Sequence, residues 1–412
     1  MSDDNAFEVL IAGGGIAGVE ALLALHELAQ DRVRVTLIDP APEMVLKPMV
    51  VEEPFSTTPA DRFTLEPIVS ERGGQFVLAA LQHIDVERRV ASLSDGSERA
   101  FDAALVCIGA KPRVVFANAV TLSPSGVGLE IDPLLRQAAE HPSKRMCFVL
   151  PAGGSWPLPV YELALMAHQR ALSLGLEVTC TIVTPEARPL AVFGEKASQA
   201  VGELLRVRGI EVLAEHWPRE GPDGTIRLTP GDEVLEAGAI MALPALEGPA
   251  VSGLPADANG FIPIDDHARV RGADCVYAAG DGTNFPVKHG GLGAQQADAA
   301  AQHIAALAGA AIAPEPFHPV IRGRLITGDE WLNLSADVTG SPASDASYEP
   351  LWWPPQKVAG KYLSAFITGS PPHDPGELPP DGLDVAIELP KDWHSQPMAL
   401  DPLSFPDFGE PD

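Results

Sequence analysis

The sequence predicts an α/β protein of two three-layer, parallel-sheet domains with a small β-rich unit and an extended acidic tail behind them. Three observations carry this. An apolar strand at 7–12 runs straight into a complete G-x-G-x-x-G turn at Gly13, Gly15 and Gly18. A second strand, turn and helix occupy 146–172, and the composition changes abruptly after 370. Strands alternating with helices at this spacing are the pattern of parallel sheets covered on both faces.

The first unit has a mechanical reason for each part. The run FEVLIA is short and β-branched enough for a buried parallel strand. Gly13 permits the tight turn, Gly15 lets backbone approach a pyrophosphate, and Gly18 lets helix pack on strand. Ile16 and Ala17 open a helix that continues to Ala29 without proline, so its N-terminus faces the phosphates. The strand 33–38 then ends on Asp39, where a carboxylate can accept from a ribose hydroxyl. Together these define a Rossmann dinucleotide-binding unit.

A loop at 40–54 carries Lys47, a helix is expected over 61–72, and 76–101 alternates as an antiparallel meander with its turn at Asp95-Gly96. The strand 103–110 closes the first pass in a turn containing Gly109 and Ala110. The second unit has Pro157 and Pro159 where the helix starts, which removes N–H donors that would hold phosphate, and Trp156 fills space that glycines would leave open. Its next strand ends on Thr184-Pro185, with Glu186 beyond, rather than on an acid. The fold of a second dinucleotide domain is expected there, and a nicotinamide site is doubtful. A strand ending in Gly280-Asp281, then Lys288-His289-Gly290-Gly291 and an alanine-rich helix, returns the chain to the first domain. The segments 317–337 and 348–366 are expected to form the β-rich unit, with Trp352 and Trp353 as an anchor for a domain or dimer contact. From 370 on there are ten prolines and ten acidic residues against the single Lys391, the composition of an extended tail. The division expected is 1–115 with 245–316, 116–244, 317–369 and 370–412.

Length and charge bound the function. A chain of 412 residues with 46% hydrophobic residues fills two or three cores. A formal charge of −28 disfavours nucleic acid and anionic lipid. No apolar run reaches the length of a membrane span and the first residues lack the basic flank of a signal peptide, so a cytoplasmic protein is expected. Cys107, Cys147, Cys180 and Cys275 are far apart and lie in or beside apolar runs, as reduced core cysteines do, and neither a disulfide framework nor a metal site is indicated.

Residues 13–39, 105–112 and 277–281, in this order, resemble the two-dinucleotide-domain flavoproteins of the pyridine nucleotide-disulfide oxidoreductase superfamily. Within it, 157–164, 188–194 and the Lys288-His289-Gly290-Gly291 helix start resemble the sulfide:quinone oxidoreductase and type II NADH dehydrogenase branch. The resemblance covers roughly 5–366. It implies FAD in the first domain, with Asp281 on the ribitol, Gly280 in its turn, Gly290 and Gly291 facing the flavin pyrimidine, and Leu81 against adenine. It places Glu162 toward flavin N5, with Lys47 as its partner, and gives His289 a chance to donate to flavin or substrate. Lys288 falls in the same flavin-side motif. NAD(P)H is one candidate substrate, a small or quinone-like molecule the acceptor. Two departures stand out. The C-x-x-x-x-C of disulfide reductases is replaced by Lys47-Pro48-Met49-Val50-Val51-Glu52, and the acidic tail cannot dock on a membrane. The expectation is an FAD-dependent oxidoreductase without a redox dithiol; the alternative is a non-catalytic or regulatory FAD-binding protein that has lost its nicotinamide site.

Overall fold

A computed structural model describes residues 6–55, 59–122, 129–152, 156–328, 330–337 and 344–376. Most of the acidic tail, and Gly153, Gly154 and Ser155 of the second turn, therefore lie outside the described residues.

Phe7–Ala12 is the middle of a five-stranded parallel sheet. Val33–Asp39 and Gln75–Leu78 lie on one side of it, Ala103–Val106 and Val276–Ala278 on the other. Its strands are apolar on both faces because both are covered. The helices Ile16–Ala29 and Gly290–Leu307 pack on each other, and Ala17, Ala21, Ala24, Ala297, Ala300 and Ala301 are all buried in their common core. Small residues let the two helix axes come close, which brings both N-termini to one edge of the sheet.

The second sheet repeats the plan. Arg145–Val149 is central, Thr179–Val183 and Glu211–Leu213 stand on one side, Ala239–Ala242 and Val120–Thr121 on the other. The helices Leu158–Ser173 and Gly194–Val207 cover it.

Several local expectations change. Residues 76–90 do not form one meander arm: Gln75–Leu78 joins the parallel sheet, and the meander is Leu81–Asp85, Val90–Leu93 and Glu98–Ala100. Arg62–Thr64 pairs with Glu43–Val45, so the helix is only Leu65–Ser70. The loop at 40–54 contains a 3₁₀ helix, Lys47–Phe55, which packs on Leu158–Ser173.

The C-terminal unit is half β. Val320–Ile326, Trp331–Asp337 and Ser344–Ser347 form an antiparallel sheet whose Ile321, Leu325, Leu332 and Leu334 lie in the core of the second sheet. The expected second β segment is instead coil ending in the helix Leu363–Thr368, because Glu20 caps that helix from the first domain. Its carboxylate accepts from Tyr362 N at 2.9 Å and Leu363 N at 2.6 Å. Glu20 in turn shares a buried contact with Asp298, and burial raises both carboxyls above their ordinary range. Among the described residues no helix is long and apolar enough to cross a membrane.

Candidate functional site

A cleft of about 420 Å³ runs along the C-terminal ends of the first sheet's strands, where the order reverses about Phe7–Ala12. Its floor is Gly13, Gly14 and Gly15, with Ile16 and Ala17 at the start of the helix. Gly13 has φ +107°, and a Cβ there would stand 2.4 Å from the Cys107 carbonyl oxygen. Gly18 sits behind the lining: a Cβ would meet the Gly13 carbonyl oxygen at 1.8 Å, so only glycine lets helix and turn close. A Cβ on Gly15, by contrast, would meet nothing within 4 Å. That open space beside a helix N-terminus with no side-chain cap is the place for a pyrophosphate.

Asp39 does two jobs. Its oxygens accept from Gly14 N and Ala41 N, both at 2.7 Å, which pins the glycine turn. Each oxygen keeps a lone pair for a ribose hydroxyl. Leu81 and Ala80 wall that end of the cleft. At the opposite end stand Ile108, Gly109, Gly280, Asp281, His289, Gly290, Gly293 and Lys47. Asp281 makes no hydrogen bond among the described residues, and burial raises its carboxyl despite the positive charges of Lys47 and Lys288. A half-buried carboxylate without a donor is suited to accept from a ligand hydroxyl.

Four expected positions land elsewhere. Ala110 and Gly291 are outside the lining. Lys288 is buried: its ammonium donates to the Thr283 carbonyl and lies 3.8 Å from the centre of the Phe261 ring. Desolvation pulls its pKa down to about 8. It braces the turn carrying Asp281 rather than touching the cleft. Glu162 is completely buried, and its partner is Lys357, not Lys47. The Lys357 Nζ stands 2.8 Å from one carboxylate oxygen and 3.0 Å from the other, and Ile326 N donates at 3.0 Å. Lys47 is exposed and lies beside Asp281 instead, because the 3₁₀ helix carries it to the rim of the cleft. Lys357 was invisible in the sequence because nothing in its neighbourhood marks a buried cation. Lys357 leads into Val358 and Ala359, which pack on Gly290 and Gly291.

His289 caps the long helix. Leu292 N donates to its Nδ1 at 3.3 Å, its ring meets the Arg322 backbone, and Trp156 lies 4.7 Å away. Burial pushes its pKa down to about 4, so the imidazole is neutral. With its polar atoms engaged it is a cap and packing residue, and the expectation of a donor to flavin or substrate does not follow from this geometry. Trp352 is fully buried with its indole N–H donating to the Gln356 carbonyl at 3.2 Å, so it anchors its own segment of the chain.

All four cysteines are free. Burial pushes the Cys107, Cys147 and Cys180 thiols up to about 12. Cys107 adjoins the cleft because its strand ends at Val106 instead of running on to 110. A thiol held protonated is not a nucleophile. Among the described residues no group of three His, Cys, Asp or Glu side chains could hold a metal ion.

A glycine cradle, two helix N-termini and paired acids at the two ends of one long cleft define a dinucleotide-binding flavoprotein. The chain belongs to the pyridine nucleotide-disulphide oxidoreductase family, whose sequence pattern it matches over residues 7–303. The rubredoxin-NAD(+) reductase of Alcanivorax borkumensis is 29% identical over 188 residues, 45% of each chain, so the match spans under half of that relative. The ferredoxin--NAD(+) reductase subunit of the Pseudomonas putida benzene 1,2-dioxygenase system is 25% identical over 308 residues, 69% of each. In fold the chain resembles the sulfide:quinone oxidoreductase of Aquifex aeolicus, with a TM-score of 0.72 at 18% identity over 83% of this chain and 87% of that one. The cofactor is FAD. The cleft fits FAD, whose pyrophosphate suits the space at Gly15 and whose ribitol suits Asp281.

Proposed function

We propose that the protein passes electrons through FAD between a reduced donor, NAD(P)H among the candidates, and a small-molecule acceptor, with no thiol intermediate. The observation that carries this reading is the junction at Lys47: it lines the FAD cleft and also a second, apolar crevice, while Cys107, Cys147 and Cys180 are buried with their thiols pushed up to about 12 and Cys275 lines neither pocket. FAD supplies two-electron and one-electron chemistry at its ring system. The chain's own residues do the rest. Gly15, Ile16 and Ala17 hold the pyrophosphate, Asp39 and Asp281 orient the two sugar ends, and the Gly290 helix N-terminus favours negative charge on the pyrimidine edge. Glu162 acts as a positioning residue: it fixes Lys357, which holds Val358 against Gly290. A small acceptor suits the charge, because a surface carrying −28 repels an acidic protein partner.

The test is an anaerobic titration of the FAD-loaded protein, followed at the flavin absorbance, with NADH, NADPH, sulfide and neutral organic reductants before and after thiol alkylation. Flavin reduction by at least one donor, unchanged by alkylation, is expected. A flavin that ignores every donor yet accepts electrons from dithionite would instead mark a non-catalytic flavoprotein.

A further inference from the structure

The second sheet has a crevice at the position equivalent to the FAD cleft, but its chemistry is different. It lies beyond the strand ends, where Leu122 follows Val120–Thr121, Leu243 and Pro244 follow Ala239–Ala242, and Trp156 and Pro159 open the helix Leu158–Ser173. Its volume is about 160 Å³. Lys47, exposed at the rim, is the only charged residue lining it among the described residues, and Val50 and Val51 complete the wall.

Three features of the described residues count against a dinucleotide as its natural occupant. Proline occupies the N-cap and the second position of the helix, and Val160 N is taken by the Pro157 carbonyl at 3.0 Å. The first turn thus has one N–H, that of Leu158, left for an anion. The acid beyond the strand, Glu186, is already bonded: Tyr161 Oη donates to it at 2.6 Å and Thr184 Oγ1 at 3.0 Å. The described walls are otherwise aliphatic, prolyl or aromatic, and they offer the two negative charges of a pyrophosphate no donor to offset their desolvation.

We infer that this crevice is a binding site for a neutral, flat, six-membered ring bearing one oxygen, the ring between Trp156, Val51 and Leu246 and the oxygen toward Lys47. The size argument is direct, since an apolar cavity of roughly 150 Å³ is known to hold one benzene ring. The prolines that spoil an anion site are flat apolar surface for a ring. Continuity with the FAD cleft through Lys47 places such a ring beside the flavin end, between the two sheets. The inference rests on the functional reading above and narrows its small molecule to a neutral ring compound.

The probe is 2,6-dimethylphenol, which is neutral at pH 7 and is not an electron acceptor, so binding is read apart from turnover. Calorimetric titration of the FAD-loaded protein is expected to show saturable binding with Kd on the order of 0.1 mM. Leu246→Trp, at a half-buried rim position, fills the crevice and weakens binding at least tenfold while FAD content stays unchanged. Trp156→Leu removes a wall and weakens it independently. NADH at millimolar concentration leaves the phenol isotherm unmoved. Absence of saturable binding to the wild type, an affinity indifferent to both substitutions, or competitive displacement by micromolar NADH would each overturn the inference. If the phenol binds as described and no donor reduces the flavin, the functional reading fails alone; if the flavin is reducible and the phenol does not bind, the crevice assignment fails alone.

Discussion

The two strand-turn-helix units share a backbone plan and differ in what their helix N-termini offer. In the first, Ile16, Ala17 and Gly18 have no carbonyl four residues back inside the helix, Gly15 opens space for a ligand, and Asp39 braces the turn with both oxygens. In the second, prolines replace two of the donors and Glu186 is committed to Tyr161 and Thr184. The same topology therefore makes an anion site once and an apolar site once. The fold places a crevice at each switch point, and the side chains and missing N–H groups decide what can enter it.

The largest effect that tests this contrast is at Gly18. Valine there would drive a Cβ into the Gly13 carbonyl oxygen, 1.8 Å away on rigid backbone, so turn and helix must separate. We expect Gly18→Val to abolish FAD retention and destabilise the first domain by about 4 kcal/mol or more. Thermal unfolding and bound-flavin absorbance check it. Retention of FAD with an unchanged melting temperature would mean that the cradle is looser than its geometry implies.

Next in size is the buried pair that ties the C-terminal segment to the second domain. Glu162→Ala leaves Lys357 without its counter-charge in a buried site and should cost about 3–5 kcal/mol, read by denaturant unfolding. The double change Glu162→Met with Lys357→Met should recover most of that loss. If it does not, the pair matters for more than compensation of charge.

A third prediction concerns acid. The folded-state pKa of His289 lies near 4, below the unfolded value of 6.5, so folding favours the neutral ring. That contribution is fully present above pH 6.5 and is lost as pH falls through 4, an effect of about 3 kcal/mol between pH 7 and 4. Glu20, Asp298 and Glu162 oppose it, since raised carboxyls favour the folded state as they protonate. His289→Asn keeps a side-chain acceptor for the helix cap and removes the titration. Its stability should therefore fall less steeply than that of the wild type between pH 6.5 and 4; an identical slope would refute the buried neutral histidine.

These effects also show which parts of the molecule could be read from sequence. The first unit was legible because each of its requirements is local: Gly13, Gly15, Gly18 and Asp39 sit at fixed offsets along one strand-turn-helix-strand run. The proline-blocked second turn was legible for the same reason. What escaped is non-local. Glu162 and Lys357 are 195 residues apart, and Glu20 caps a helix that begins more than 340 residues later. No periodicity announces such partners, and Lys47 was the nearer lysine in the motif-based reading. Gln75–Leu78 joins the parallel sheet instead of the meander, and alternation alone does not say whether a short strand turns back or joins a parallel sheet.

The smallest effect sharpens the contrast most finely, by separating the two ways in which the second unit departs from the first. Tyr161→Phe removes the hydroxyl that donates to Glu186 at 2.6 Å and leaves the ring in place. Glu186 keeps Thr184 and is only partly buried, so water can replace some of what the lost donor gave and the expected cost is about 1 kcal/mol. The substitution frees a carboxylate at the end of the strand Thr179–Val183, near where an adenosine ribose would need one. It does not restore the N–H groups lost at Pro157 and Pro159. NADH affinity should therefore rise by less than threefold, measured by stopped-flow reduction of the flavin over a range of NADH concentrations. A tenfold or greater gain from this one hydroxyl would place the defect of the second site in its occupied acid and acquit the prolines. The ring-binding assignment of the crevice would then lose one of its three supports.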